Sequence, residues 1–304
     1  MKLWNKYYTP TTIDEAVQLL ASHAGQARVI AGGTDLLIDM KAEGDPIPHE
    51  ALVDITSIPN LRSIDEQDGA AIIGAGVTHT QIVKSALLAG RATCLVESCG
   101  VVGGPQVRNV ATLGGNVAHA LPAADGTTSL VVLDAEAEVI YRGERQWLPL
   151  LELFLGPGES LLNSTRDMLL RFRFRLCGAR EATAFKRIMR PQGVALPVLG
   201  CAVWVRLDES RTHYESARVC LAPVAPRPVR VTEVEEALMG RRADDDTLQA
   251  AVNVARDVLN PRTSKYRATA DYRREMVEVL LRRTLPLAVE RARSGEAVPE
   301  DIGI

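Results

Sequence analysis

Cysteine is scarce in this sequence and is never closely paired. The five cysteines include no C-x-x-C pair, and the five histidines include no H-x-x-x-H pair. Structural metal sites and disulfide frameworks need ligands at such tight, repeated spacings. The cysteines are therefore expected to be reduced, mostly buried thiols, with no zinc site and no iron–sulfur cluster on this chain: Cys94, Cys99, Cys177, Cys201 and Cys220.

Long apolar runs and long basic runs are also missing. No apolar run approaches the ~18 residues that a membrane-spanning helix needs, and the opening MKLWNKYYTP lacks the apolar core of a signal peptide. The net charge is −3 over 304 residues, and lysines and arginines occur side by side only as pairs. These features predict no membrane span, a cytoplasmic location and no nucleic-acid partner. The 46% hydrophobic content is that of a globular protein with a real core.

Hydrophobic periodicity predicts mixed α and β structure in the N-terminal third. Residues 12–24 follow a Thr cap and carry apolar side chains at helical spacing. A strand is predicted over ARVIAGG, and a helix over TDLLIDMKA that Thr34 could cap. Two more strands are predicted over ALVDIT and AAIIGAG, with DEQDG as the turn before the second.

The middle of the chain combines a helical stretch with a glycine-rich passage. Residues 78–99 are predicted to be helical, with Thr78 or Thr80 as cap, and the glycine-rich passage covers 100–126. EAEVIYRG and MLLRFRFRL alternate as strands do, the second with one solvent-facing side. A change in composition near Gly178–Arg180 predicts a domain boundary.

Beyond that boundary the patterns predict an α+β domain. VLGCAVWVRLD and SARVCLAPV are predicted to be paired strands joined by the polar turn DESRTHYE. Two long helical patterns follow, over 231–258 and 268–293.

Two glycine passages, AGGTD and TLGGN, are the candidate functional loops. Glycine lets a backbone approach a ligand closely, and amides at helix starts suit a phosphate group. For a single Gly-Gly pair, a plain strand-to-helix turn is the more common explanation, but two such passages in one domain weaken that alternative. Neither passage fits G-x-G-x-x-G or a P-loop ending in G-K-[ST], which disfavours both of those nucleotide-binding classes. The remaining possibility is a phosphate site formed by the backbone of both loops together with selected polar side chains: Thr34, Asp35, Thr112, Asn116, His119 and Asp125.

The two passages together closely resemble the FAD-binding medium subunit of molybdenum hydroxylases, the family of carbon monoxide dehydrogenase, xanthine dehydrogenase and 4-hydroxybenzoyl-CoA reductase. The resemblance rests on TPTTIDEAVQLLA before AGGTDLL and on PQVRNVATLGGNVAHALPAAD some seventy residues later, and it extends over nearly the whole chain. It implies an α+β fold: a two-part FAD-binding domain of the vanillyl-alcohol-oxidase/PCMH type, followed by a C-terminal α+β domain with antiparallel strands and helices. We predict subdomains at 1–57 and 58–178 and a C-terminal domain at 179–304.

The resemblance also implies roles for individual residues. The FAD pyrophosphate is expected at the Gly32-Gly33 bend, bound by main-chain N–H groups, while Asp35 helps to hold the loop's shape. Asp125 is expected to accept hydrogen bonds from ribose hydroxyls. The implied contacts are Val29, Ile30, Ala31, Gly32, Gly33 and Thr34 in the first loop; Thr112, Gly114, Gly115 and Asn116 at the pyrophosphate; His119 and Asp125 near adenosine; Val102 and Gly103 near the flavin ring; Leu169 as a late ring contact; and Lys186 as a polar cofactor contact.

Three residues have competing interpretations. Lys186 could equally be an ordinary solvated lysine, and His119 could be an exposed loop histidine. Arg108, just ahead of the second loop, could neutralise phosphate or face a partner, but a structural brace is favoured.

The function implied by the resemblance is electron relay in a complex. This chain would hold noncovalent FAD alone, between the two-iron iron–sulfur clusters of a small subunit and an external acceptor, with the molybdenum cofactor on a large subunit. A dimer of heterotrimers is expected. NAD, quinone, ferredoxin, cytochrome and oxygen stay open as acceptors. A stand-alone FAD oxidoreductase and a flavin-binding assembly subunit without turnover are the rival hypotheses.

Overall fold

The N-terminal region is a small parallel sheet with one covering helix. The computed structural model describes residues 3–41, 49–190, 196–264 and 267–302. The strand order is β1-β3-β2, and the helix α1 buries Ala16 and Leu20. Thr12 caps α1, as predicted, by accepting a hydrogen bond from Glu15 N at 3.2 Å. The elements are β1 (Trp4–Tyr8), α1 (Ile13–Ser22), β2 (Ala27–Ile30) and β3 (His49–Asp54).

The helix predicted over TDLLIDMKA is much shorter than its pattern. Only α2 (Leu36–Asp39) forms, and position 42 lies outside the described residues. The prediction that Thr34 caps it is wrong, because Asp35 holds the cap position and makes no side-chain cap bond. A single turn without a side-chain cap gains little helical stability of its own.

An antiparallel sheet of order β4-β5-β10-β6-β7 forms the centre of the middle region. DEQDG was predicted as a turn, but its first three residues belong to β4. The turn is confined to Asp68-Gly69, both at positive φ. β10 has the predicted solvent-facing side, where Arg173 pairs with Glu136 at 2.6 Å. The strands are β4 (Ile64–Gln67), β5 (Ala70–Gly74), β6 (Glu136–Tyr141), β7 (Glu144–Pro149) and β10 (Met168–Arg175), with the small hairpin β8 (Phe154–Gly156) and β9 (Glu159–Ser160).

Short helices pack on this sheet and carry the second glycine passage. The single helix predicted over 78–99 is instead three, because Thr78 and Ser85 each cap a new helix and Ala92 leaves helical geometry at ψ 46°. The cap at Thr78 is confirmed. The helices are α3 (His79–Val83), α4 (Ala86–Arg91), α5 (Thr93–Gly100), α6 (Pro105–Arg108), α7 (Leu113–Ala118) and α8 (Asp125–Val132).

The C-terminal region is an antiparallel sheet of order β11-β12-β13-β14 covered by helices. The predicted strand pair is confirmed, and β11 is a strand that the sequence patterns did not predict. The helix predicted over 231–258 is two helices, because Gly240 at φ +70° interrupts it and Asp244 caps the second. The elements are β11 (Glu181–Met189), β12 (Pro197–Leu207), β13 (Tyr214–Ala222), β14 (Val229–Arg230), α9 (Thr232–Leu238), α10 (Asp245–Val258) and α11 (Ala270–Ser294).

Separate hydrophobic clusters underlie these three regions. The largest joins β5 and β10 to α5, α7 and α8, and it also includes Phe185 and Trp204 of the C-terminal sheet. The second glycine loop lies at the edge of this cluster through Leu113 and Val117, whereas the residues around the first loop pack in smaller clusters of the N-terminal region. The predicted boundaries at 57 and 178 stay predictions.

Candidate functional site

The first glycine loop begins where β2 ends. Gly33 has φ +68°, a conformation that residues with a side chain rarely adopt, and its carbonyl accepts the Leu37 amide at 3.0 Å. The amides of Gly32, Gly33 and Thr34 donate to no other group in the described part of the chain. Ala31 and Thr34 are half-buried, while Asp35 is exposed. This loop therefore presents N–H groups that are available to a ligand.

The second glycine loop uses its own amides differently. Thr112 caps α7 by accepting the Gly115 amide at 3.0 Å, and the Gly114 amide donates to the Ala75 carbonyl at 2.9 Å. The Asn116 amide donates to the Thr112 carbonyl. Gly114 is buried against Ala75, whereas Gly115 is exposed. The outward surface of this loop is thus the bare backbone at Gly115, with the side chain of Asn116 beside it.

The two loops touch each other at Gly32. A methyl group there would lie 2.8 Å from Ala111 Cα and closer still to the Val110 carbonyl oxygen. Only glycine permits this approach. The structure therefore brings together the two passages that the sequence singled out, although some seventy residues separate them.

The residues predicted near the flavin ring follow α5. Arg108 donates to the carbonyls of Val102 and Gly103 at 3.3 and 3.0 Å, which agrees with the predicted bracing role. Gly103 has φ +52° and leaves little room for a side chain, since Val107 is 2.8 Å from its potential Cβ. Leu169 lies on β10 and is buried in the largest core cluster.

Asp125 has a partner that the sequence reasoning missed. It is the first residue of α8, it is 5% exposed, and it accepts from Arg187 Nη1 at 2.6 Å. Burial raises the pKa of Asp125 to about 6, although the charges of Arg187 and Arg267 lower it. The Nε of Arg187 is buried and makes no hydrogen bond within the described residues. The expected contact of Asp125 with ribose stays a prediction.

Lys186 lies next to Arg187 on β11 but forms its own ion pairs. Its Nζ donates to Glu300 Oε2 at 2.7 Å and to Asp301 Oδ2 at 2.6 Å. Its side chain is 14% exposed, so the alternative of an ordinary solvated lysine is wrong. His119 is the C-cap of α7, and its Nδ1 lies 4.0 Å from Asp39 Oδ2 at the end of α2.

The cysteines lie in apolar surroundings. All five are buried, and burial raises the pKa of every thiol well above its ordinary value. Within the described ranges, no group of three or more His, Cys, Asp or Glu side chains is arranged to hold a metal ion. Among the same residues, no helix is long and apolar enough to cross a membrane.

Two family models together match most of this chain. The FAD binding domain in molybdopterin dehydrogenase matches residues 3–174, and the CO dehydrogenase flavoprotein C-terminal domain matches residues 183–288. The chain belongs to this FAD-binding family. Its FAD-binding domain, its α+β fold and its place among oxidoreductase subunits are thereby confirmed.

Individual relatives of this FAD-binding chain are similar to it in sequence along almost their whole length. The xanthine dehydrogenase FAD-binding subunit of Escherichia coli O157:H7 is 30% identical over 290 residues, which is 94% of this chain and 96% of the relative. The carbon monoxide dehydrogenase medium chain of Hydrogenophaga pseudoflava is 29% identical over 286 residues, 94% and 97% of the two chains. A solved structure of that organism's carbon monoxide dehydrogenase superposes with a TM-score of 0.87 at 29% identity, covering 96% of this chain and 99% of the other.

The loops of this FAD-binding chain fit a dinucleotide. The available amides of the first loop suit the pyrophosphate, and the bare backbone at Gly115 leaves room for close approach. In the second loop, the amides of residues 113–116 are already used by the fold. What this loop leaves open to a ligand is the backbone surface at Gly115 and the half-buried side chain of Asn116.

Proposed function

We propose that this chain is the electron-transfer subunit of a molybdenum hydroxylase complex, passing electrons between the iron–sulfur clusters of a small subunit and an external acceptor. The observation that carries the proposal is the contact at Gly32 between a loop with available amides and a loop with a bare backbone surface. It occurs in a chain whose relatives are named as FAD-binding subunits and medium chains of dehydrogenases.

FAD, when bound, supplies the redox chemistry, and the protein supplies binding and orientation. The amides of Gly32, Gly33 and Thr34 would donate to the pyrophosphate, and Asn116 would add a side-chain contact. At the other end, Val102 and Gly103 present backbone that Arg108 holds in place. We propose that the cofactor is noncovalent, because the buried cysteine thiols with raised pKa values are poor nucleophiles.

We further propose that the partners are a small iron–sulfur subunit and a large molybdenum subunit, assembled as a dimer of heterotrimers. Relatives named "medium chain" support a three-part assembly. Native mass measurement of the complex purified through a tag on this chain should give two copies of each subunit.

Stopped-flow spectroscopy tests the relay directly. The purified FAD-loaded chain is mixed with organic substrates of molybdenum hydroxylases, alone and together with both partner subunits. We expect the flavin absorbance to persist without partners and to bleach when the complete complex is present. Rapid bleaching of the isolated chain would instead support the stand-alone oxidoreductase. Flavin that no partner protein reduces would support the non-catalytic assembly subunit.

Acid release followed by chromatography tests the cofactor itself. We expect FAD in solution, since FMN lacks the adenosine half that we propose His119 and Asp125 to contact. FMN as the main species, or flavin that stays attached to peptide, would contradict the assignment.

A further inference from the structure

The last described residues form a segment that lies against the ring end of the proposed flavin site. We name residues 298–302 the C-terminal strap. Ile302 rests on the backbone of Gly100, at the end of α5, so closely that a methyl group at Gly100 would be 2.7 Å from Ile302 Cγ2. Val102 and Gly103, the residues predicted near the flavin ring, follow two and three positions later.

A buried carboxylate holds the strap in place. Glu97 on α5 is 1% exposed and accepts from the Glu300 amide at 3.0 Å and from the Phe185 amide at 2.7 Å. Arg291 on α11 donates to Glu97 at 2.6 Å and to the Val298 carbonyl at 2.5 Å. One carboxylate thus joins α5, β11, α11 and the strap. This strap position is built from buried hydrogen bonds, in contrast to a chain end lying loosely on the surface.

Two carboxylates of the strap bind the same lysine. Glu300 and Asp301 both accept from Lys186 Nζ, while their own side chains are 49% and 75% exposed. Burial lowers the pKa of Lys186, but its hydrogen bonds to Asp301 and Glu300 outweigh that effect, and the net pKa is raised. Lys186 therefore stays charged, and the group of three side chains carries a net charge of about −1 at neutral pH.

Neighbouring contacts place this group beside the ring end of the site. Lys186 follows Phe185 on β11, and the Phe185 amide binds Glu97 of α5. The strap touches Gly100 at the end of the same helix. The group thus lies beside the end of α5, which leads to Val102 and Gly103.

We propose that Glu300 and Asp301 are positioning residues of the flavin site: they fix the Lys186 ammonium beside the ring and offset its charge, and so lower the reduction potential of the bound flavin. The inference rests on the proposed function. Its physical basis is that negative charge near a ring that gains electrons opposes reduction, whereas an uncompensated ammonium favours it.

The test is a dye-linked reductive titration of the full-length, FAD-loaded chain carrying the isosteric double substitution Glu300→Gln/Asp301→Asn. At a fixed dye potential we expect the ratio of reduced to oxidised flavin to rise about tenfold, about 30 mV for a two-electron couple. Lys186→Met should shift the ratio in the opposite direction. The matched control is Glu290→Gln/Glu296→Gln, which removes two exposed charges from the same end of the chain and should leave the ratio unchanged.

Combining the double substitution with Lys186→Met distinguishes positioning of the ammonium from a general charge effect. With Lys186→Met in the background, the double substitution should change the ratio by a smaller factor than in the wild-type chain, because the carboxylates then have no ammonium to fix. If the double variant folds poorly, Asp301→Asn alone gives the same reading, since that side chain is mostly exposed. A flavin ratio within about twofold of wild type in a folded, FAD-loaded double variant would overturn the proposal.

The titration uses dyes and no partner protein, so its outcome is independent of whether the iron–sulfur subunit reduces the flavin. A failed relay with a shifted ratio would refute the proposed function alone. A working relay with an unshifted ratio would refute the strap inference alone.

Discussion

Gly115→Ala separates the effect of a loop on folding from its effect on the cofactor. Gly115 is exposed within α7, and a methyl group there would meet only Thr112 Oγ1, at 3.2 Å. The hydroxyl must give way slightly, while replacing a helical glycine by alanine contributes about 0.5–1 kcal/mol to stability. The net effect on folding should be neutral or mildly favourable.

FAD binding should respond in the opposite direction. If the pyrophosphate lies against the bare backbone at Gly115, the added methyl group holds it away from the amides of Gly32 and Gly33. A hydrogen bond to a charged group contributes roughly 1.5–3 kcal/mol. Lengthening one of them should therefore weaken FAD binding by at least about tenfold, or about 1.4 kcal/mol.

The assay is FAD titration of the apoprotein followed by flavin fluorescence, together with thermal unfolding of the apoprotein. Gly90→Ala is the matched control, since Gly90 lies in α4 with no atom within 4 Å of its potential Cβ, and it should leave FAD affinity unchanged. Gly114→Ala is the opposite case, because its methyl group would lie 2.5 Å from the Ala75 carbonyl oxygen, and such overpacking costs about 1–3 kcal/mol of stability. Wild-type FAD affinity in a folded Gly115→Ala protein would refute the placement of the cofactor at this loop.

Three further predictions concern stability. Burial and the charge of Arg108 lower the pKa of His79 to about 4. Between pH 6.5 and 4 the unfolded chain therefore binds more protons than the folded chain. The free energy of unfolding should fall by up to about 3 kcal/mol as the pH falls through that range. Urea unfolding of His79→Gln should show a shallower pH dependence, and an unchanged one would contradict this. Thr112→Val removes the acceptor of the Gly115 amide and should cost about 1 kcal/mol in thermal unfolding, whereas Thr112→Ser should not. Arg291→Met leaves Glu97 buried without its cation and should cost about 3–5 kcal/mol in denaturant unfolding; adding Glu97→Gln should recover part of that loss, and full additivity would argue against the pair.

The sequence allowed prediction of those elements whose signals are local. Thr12 and Thr78 cap helices because a cap depends on its own backbone and the next three residues. The β12–β13 pair was predictable from alternation and a polar turn. The helix break at Ala92 was harder to predict, because apolar residues continue on both sides of it. The break at Gly240 has local signals, the glycine itself and the cap Asp244, which the long helical pattern over 231–258 concealed.

The candidate site shows the same difference between features with local signals and features that depend on distant residues. The two glycine loops were found because each is a short contiguous pattern. The partners of Asp125 and Lys186 lie 62 and more than 110 residues away, so no local spacing indicates them. The strand β11 that carries Lys186 and Arg187 was itself not predicted from the sequence.

The two glycine loops thus have unequal roles, although their sequences look alike. In the second loop, the amides of residues 113–116 are committed to Val77, Ala75 and the Thr112 cap, so this loop is rigid and supplies mainly a surface. In the first loop, the amides of Gly32, Gly33 and Thr34 have no such commitments within the described residues, and the adjoining helix is a single turn. The donors for an anion must then come chiefly from the first loop, whose geometry depends on the positive φ of Gly33 and on the contact of Gly32 with Ala111. Changes at Gly32 or Gly33 should consequently disturb both the donors and their position, whereas a change at Gly115 should disturb only the surface that they face.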